Sequence, residues 1–560
     1  MNKYSLVFTA AMTVSLAAAA QKQGDDVPKG WHMMDKATTG YYGVSADKAY
    51  SFLKSKNLKS KTVLVAVIDS GIDTTHEDLK PILWTNPGEI PGNGIDDDHN
   101  GYIDDIHGWN FIGGKDGRNV KEDSYEGARV YHAYKATFEG KSESEIDPKE
   151  LELYRTWKKA EAKTIGDGSS GGTDLAMLQR IQKNLRQDDS LLQKAIGKEV
   201  FTGKELDGYT TKSSEERKAK AGLLGLMKAN DALDQTNKEF MDGLNEYIDG
   251  ENRKDEAKRN APPTYRKDIV KDDETNFNDR YYGNNDVMAS TPMHGTHCSG
   301  IIAAVRNNGK GMDGIADNVR IMMVRAVPDG DEHDKDIALA IRYAVDNGAQ
   351  IISMSFGKDF SPQKQWVDDA FRYAEAHDVL LVHAAGNDAK NVDTADNFPN
   401  PVYIDGKGRA GNVITVGASG DPKAGGLTAS FSNYGKKEVD VFSPGVKIYS
   451  TLPGGNTYGN LQGTSMACPL VAGIAALTLE YFPNLTAKQL KYVIEKSAQA
   501  PEYKVKIPGT DDMTDLSDIS KTGGIVNAYE AVKLAATLKG ERKTVKQPLP
   551  KPKMTKGKKS

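Results

Sequence analysis

Cysteine is nearly absent: the 560 residues carry two, Cys298 and Cys468, which excludes a disulfide-stapled scaffold. Long hydrophobic runs are missing as well, since no segment after the first twenty residues supplies the roughly 20 apolar residues that a membrane span needs. Neither sign of charge is in surplus. Lys and Arg number 73 against 78 Asp and Glu, and a net charge of -5 gives no electrostatic reason to hold nucleic acid. With 38% hydrophobic and 27% charged residues, the chain is neither collagen-like nor disordered and can bury a large core.

Three stretches differ from the rest. Residues 1–20 place Lys3 before an apolar run that ends in Ala18, Ala19 and Ala20, the pattern of an export leader, which predicts a secreted or periplasmic, cell-envelope protein beginning near Gln21. No cysteine follows the small residues, so nothing points to a lipid anchor there. Residues 121–280 hold 62 charged residues of 160, against 89 in the other 400. Their apolar residues recur at helical steps, as in Leu175, Leu178, Ile181 and Leu185, or Leu226, Ala229, Leu233, Phe240, Leu244 and Ile248. This predicts a large, charged helical insertion over 115–281. The last 22 residues, from Lys539, carry nine Lys or Arg and three prolines and read as a disordered basic tail.

Residues 40–114 and 282–538 flank the insertion, after an N-terminal segment at 21–39. They contain short apolar runs at 63–68, 319–324, 350–354, 379–383 and 413–416, separated by helical stretches. Runs buried on both faces and alternating with helices predict an α/β three-layer sandwich with a mainly parallel sheet, whose chemistry sits beyond the carboxyl ends of the strands.

Asp69 directly follows the first run. His294 opens the segment Met293-His294-Gly295-Thr296-His297-Cys298-Ser299-Gly300, and Ser465 opens Gly463-Thr464-Ser465-Met466-Ala467-Cys468-Pro469. Each is weak alone. Together they supply a hydroxyl nucleophile, a base for it, and an acid to fix the base's tautomer. Spacing does not choose between His294 and His297.

The motifs AVIDSGID, HGTHCSGIIAA and GTSMACPLVAG resemble the three signatures of the subtilisin-like serine proteases. The order Asp, His, Ser agrees with the subtilisin order. The resemblance implies that Ser465 is the nucleophile, His294 the general base and then acid, and Asp69 the group that orients it, leaving His297 structural. It also makes Asn387, in Ala384-Ala385-Gly386-Asn387, an oxyanion donor, and Ser355-Phe356-Gly357 an edge that pairs with an extended protein or peptide substrate. A fourth implication concerns activation, because the stretch from Gln21 to Thr62 is too short for the inhibitory pro-domain that many exported relatives carry.

A separate acidic pattern runs from Gly94 to Asp105. Asp96, Asp98, Asn100 and the Tyr102 carbonyl alternate as calcium ligands do and Asp104 or Asp105 closes the shell, although the glutamate expected in twelfth place is replaced by His107. The two cysteines fall in helical segments and read as buried free thiols. The function that follows is an exported serine endopeptidase, stabilised by calcium and acting through an acyl-enzyme. The rival is a non-catalytic binding protein that uses the insertion as its surface, a role for which Asp69, His294, Ser465 and Asn387 would not all be needed.

Overall fold

A computed structural model describes residues 27–166, 175–230, 232–233 and 235–542. The expected leader and the basic tail beyond Arg542 lie outside them. The apolar runs form β1 (Val63–Asp69), β3 (Val319–Arg325), β4 (Ile351–Met354), β5 (Leu380–Ala384) and β6 (Val413–Ser419), joined by β2 (Gly108–Asn110) and β7 (Val441–Pro444). All seven pair in parallel in the order β2-β3-β1-β4-β5-β6-β7.

Alternate residues of each strand enter different cores. Val63, Val65 and Val67 face the core that holds α1 (Met293–Ala303) and α4 (Thr464–Tyr481). Ala66 and Ile68 face the one that holds α2 (Asp334–Asp346) and α3 (Lys364–Ala376). This is the three-layer α/β sandwich expected, and both faces of the sheet are apolar because both are covered. By length and composition α4 could cross a membrane, but 94% of it is buried inside the sandwich, where an all-apolar helix belongs.

The contacts divide the described residues into two compact units, one built from residues 27–123 and 264–542 and the other from 124–263. The first holds the sheet. Residues 115–123 and 264–281 pack with it, since Val120 and Val270 lie in the α2–α3 core and Arg118 Nη2 donates to the Asp268 carbonyl at 2.7 Å.

The second unit is helical. In it, helices Glu126–Phe138 and Leu151–Ile165 bury Tyr131, Phe138, Tyr154 and Trp157, and the Trp157 indole N–H donates to the Tyr131 carbonyl at 2.9 Å. Helices Leu175–Ile196, Ser214–Ala229 and Asn237–Ala257 close a second core around Leu178, Leu185, Leu192, Leu223, Phe240 and Leu244. The apolar spacing from Leu226 to Ile248 spans two helices, because Thr236 and Glu239 form a reciprocal cap that starts a new one.

Candidate active site

Asp69 ends β1 with no exposed surface, and one carboxylate oxygen accepts the Ser70 N–H at 2.7 Å. His294 lies in the first turn of α1, and its Nδ1 meets both Asp69 oxygens, at 2.7 and 2.8 Å. Gly295 allows this approach, since a Cβ there would collide with the Gly71 carbonyl oxygen. A carboxylate facing Nδ1 holds the proton on that nitrogen and leaves Nε2 as the base.

Ser465 is the second residue of α4 and is 5% exposed. Its hydroxyl donates to the Ser355 carbonyl at 3.2 Å, and the Ser355 hydroxyl donates back to the Ser465 carbonyl at 3.0 Å. Cys298 Sγ links the two candidates: it lies 3.7 Å from His294 Nδ1 and donates to the Ser465 carbonyl at 3.4 Å.

Asn387 follows β5. Its Oδ1 accepts from the Thr464 N–H at 2.8 Å and from the Thr464 hydroxyl at 2.9 Å, so its amide N–H2 is turned away from these two groups. A Cβ built on Gly463, at φ 148°, would lie 3.5 Å from both Asn387 Nδ2 and the Ser465 nitrogen. Two donors thus bracket one small space at a helix N-terminus, where the dipole favours negative charge.

The other sequence-selected residues fall around this space. The Phe356 ring is buried against His383, with ring centres 6.3 Å apart, and its carbonyl accepts from His383 Nε2 at 2.8 Å. Gly357 runs beside Phe398, whose carbonyl oxygen lies 3.1 Å from the position of a Gly357 Cβ. Ala384 and Ala385 are buried, and the Gly386 N–H donates to the Thr464 hydroxyl at 3.1 Å. His297 is fully buried and donates from Nε2 to the Gly459 carbonyl at 3.2 Å; burial pulls its pKa down to about 3, so it stays neutral.

Sequence reasoning missed Asn433. Its amide donates to the Ala385 carbonyl at 2.9 Å and its Oδ1 accepts from the Asp388 and Lys390 N–H groups, both at 2.9 Å, which fixes the loop carrying Asn387. No local signal marks it.

The acidic loop closes differently from a linear ligand series. Glu89, also missed, brings its carboxylate together with those of Asp96 and Asp98, one oxygen of each lying within 4.8 Å of the others. Burial raises the Glu89 pKa, and the neighbouring Asp98 charge adds to this. Among the described residues no cation pairs with these three, so an all-oxygen set of like charges is left for a hard ion, a donor set that fits calcium.

Asp105 stands apart from that set: its oxygens accept from Asn86 at 2.6 Å, Asn100 at 3.0 Å and the Tyr343 hydroxyl at 2.6 Å, and burial pushes its pKa up to about 7. Asn100 uses its own Oδ1 to accept the Tyr102 N–H at 2.8 Å. The Tyr102 ring packs on Trp109 and Tyr343, with ring centres 5.0 Å away in each case.

The family model described as "Subtilase family" matches residues 60–527. Thermitase of Thermoactinomyces vulgaris is 40% identical over 248 residues, 43% of this chain and 77% of its own length. The "Thermophilic serine proteinase" of Bacillus sp. (strain AK1) is 39% identical over 240 residues, 43% of this chain and 52% of that protein. The "Cell wall-associated protease" of Bacillus subtilis (strain 168) is 34% identical over 257 residues, 45% of this chain and 26% of that protein. The chain therefore spans about half the length of the AK1 relative and a quarter of the cell-wall one. A family match that runs from the strand bearing Asp69 to beyond the helix bearing Ser465 places the chain in the subtilase family.

Proposed function

We propose that the chain is a serine endopeptidase that hydrolyses peptide bonds of protein or peptide substrates. The observation that carries this reading is the contact of His294 Nδ1 with both Asp69 oxygens, beside a serine at the start of a buried helix.

A substrate strand pairs along Ser355-Phe356-Gly357 and brings its scissile carbonyl to Ser465. The Ser465 hydroxyl leaves the Ser355 carbonyl, attacks the substrate carbon and passes its proton to His294 Nε2. Asp69 stabilises the imidazolium formed, and the oxygen that becomes negative accepts from the Ser465 N–H and the Asn387 amide. His294 then gives the proton to the departing amine, leaving an acyl-enzyme. Water, deprotonated by the same Nε2, attacks the ester and restores Ser465.

Calcium belongs to this reading as a structural ion. Glu89, Asp96 and Asp98 would hold it, with Asn100 and the Tyr102 carbonyl nearby in sequence and Asp105 supporting the loop. When bound it neutralises three converging carboxylates. Export follows from residues 1–20 and from relatives that include a cell wall-associated protease. The division into leader 1–20, segment 21–39, a catalytic domain at 40–114 and 282–538, an insertion and a basic tail is part of the same proposal.

The test is casein hydrolysis by the full chain and by Ser465→Ala, with fluorophosphonate labelling of both. Cleavage and labelling that vanish together in the variant support the reading. A folded chain that neither cleaves nor labels points to a binding protein on the same scaffold.

A further inference from the structure

We infer that Arg325 is a positioning residue for the Asp69–His294 pair, an inference that rests on the peptidase reading above. Arg325 ends β3 in register with Asp69 on the neighbouring strand and has no exposed surface. Its Nε donates to the carbonyl of Ser70, the residue after Asp69, at 2.9 Å. Its Nη2 donates to the hydroxyl of Thr291, three residues before His294, at 3.2 Å. The Thr291 hydroxyl donates in turn to the Ser70 carbonyl at 3.4 Å. Two further bonds go to the Asn110 side-chain oxygen at 3.1 Å and the Val120 carbonyl at 2.6 Å. One planar guanidinium thus ties the turn after Asp69 to the turn before His294, joining chain segments that are more than two hundred residues apart.

The charge matters as well as the fork. The other deeply buried arginine, Arg266, is paired with Asp336 at 2.6 Å and Asp272 at 2.9 Å. Among the described residues Arg325 makes no ion pair and donates only to neutral partners; Asp286 is the acid whose charge it feels, and burial lowers its pKa to about 10. A buried cation without a carboxylate is costly unless other groups compensate for it. Asp69, whose carboxylate meets His294, is its register partner on the adjoining strand. A fixed positive charge beside the pair favours ionised Asp69 and opposes protonation of His294 Nε2, which keeps the base free at lower pH. Lysine would keep the charge but not the rigid fork.

The experiment titrates the downfield Nδ1–H proton resonance of His294 against pH in the full chain, and measures the fluorophosphonate labelling rate of Ser465 together with kcat and KM. In Arg325→Met the titration midpoint should rise by about half a unit to one unit, as expected for loss of one nearby buried charge. Labelling should slow by about 100-fold through kcat, with KM little changed. Arg325→Lys should return the midpoint to the wild-type value while labelling stays about tenfold slow, and Thr291→Val should slow labelling without moving the midpoint. A midpoint in Arg325→Met equal to wild type overturns the inference even if activity falls. If Arg325→Met does not fold, wild-type labelling rates in both Arg325→Lys and Thr291→Val overturn it. A wild-type chain that shows the resonance but never labels sinks the peptidase reading instead, and the midpoints still decide the role of Arg325.

Discussion

Cys298 Sγ lies 3.7 Å from His294 Nδ1, the same nitrogen that faces the Asp69 carboxylate. A bulky group on that sulfur has no room without moving the imidazole. Treatment with an organomercurial should therefore abolish casein hydrolysis, slowly because Cys298 is fully buried. Cys298→Ser should retain activity and lose the sensitivity. Cys468→Ser should remain sensitive, since the Cys468 thiol is buried beneath Ser353 and burial pushes its pKa up to about 11, away from reactivity. Undiminished activity of the mercurated wild type would refute the argument.

Asn387 has two roles that substitution separates. Asn387→Ala removes an oxyanion donor and should lower kcat by about 10²–10³. It also removes the acceptor for the Thr464 N–H and hydroxyl. Asn387→Asp keeps that acceptor and should fold as wild type while remaining as slow as the alanine variant. An aspartate variant with near wild-type kcat would show that the amide donor is not used.

Three converging carboxylates make stability depend on a cation. Free calcium at 100 times its dissociation constant adds about 2.7 kcal/mol, which corresponds to a rise of roughly 3 °C in Tm for a domain of this size. Chelation should reverse it. Replacing Glu89 by Gln together with Asp96 by Asn should raise the Tm of the chelated protein, because like charges repel, and remove the calcium response. A double variant that still gains several degrees with calcium would place the ion elsewhere.

Alkaline pH should act through the far end of α4. Glu480 has no exposed surface, accepts the Asn318 N–H at 3.1 Å, and has its pKa pushed up to about 9 by burial and by neighbouring Asp317. The folded state therefore keeps a proton that the unfolded chain gives up near its ordinary value of 4.5. This contribution is complete below that value and is lost as pH rises to about 9, the folded state binding more protons throughout the window. Glu480→Gln should flatten the fall of Tm between these limits and melt about 3 °C or more above wild type at pH 8.5. Parallel Tm profiles for the two proteins would refute the assignment.

Much of the sheet-bearing unit was legible because its strands are buried on both faces. Val63 to Ile68 and Val319 to Val324 are almost continuously apolar, as burial on both sides of a sheet requires. Asp69 stood out at the end of such a run, and the resemblance to the subtilisin-like motifs selected His294 over His297, although 225 positions separate the pair. Glu89 could not be singled out, because it meets Asp96 and Asp98 only after the loop folds back, and Asn433 acts entirely through contacts distant in sequence. The charged stretch is wider than the compact helical unit for a related reason. Val120 and Val270 lie among charged neighbours yet belong to the core beneath the sheet, and composition averages over a window while packing acts on single side chains.

The Arg118–Asp268 contact bears on the order in which the chain assembles. β1 and β3 are neighbours in the sheet, yet their first residues are about 256 positions apart, so their pairing closes a very long loop. A helical unit with mostly local contacts forms quickly, and a stem that ties positions 118 and 268 removes most of that loop before the strands meet. Each halving of loop length lowers the closure cost by about 0.6 kcal/mol. Refolding of the sheet should then follow formation of the inserted unit, and a chain with that unit held unfolded would be expected to form β1–β3 pairs late.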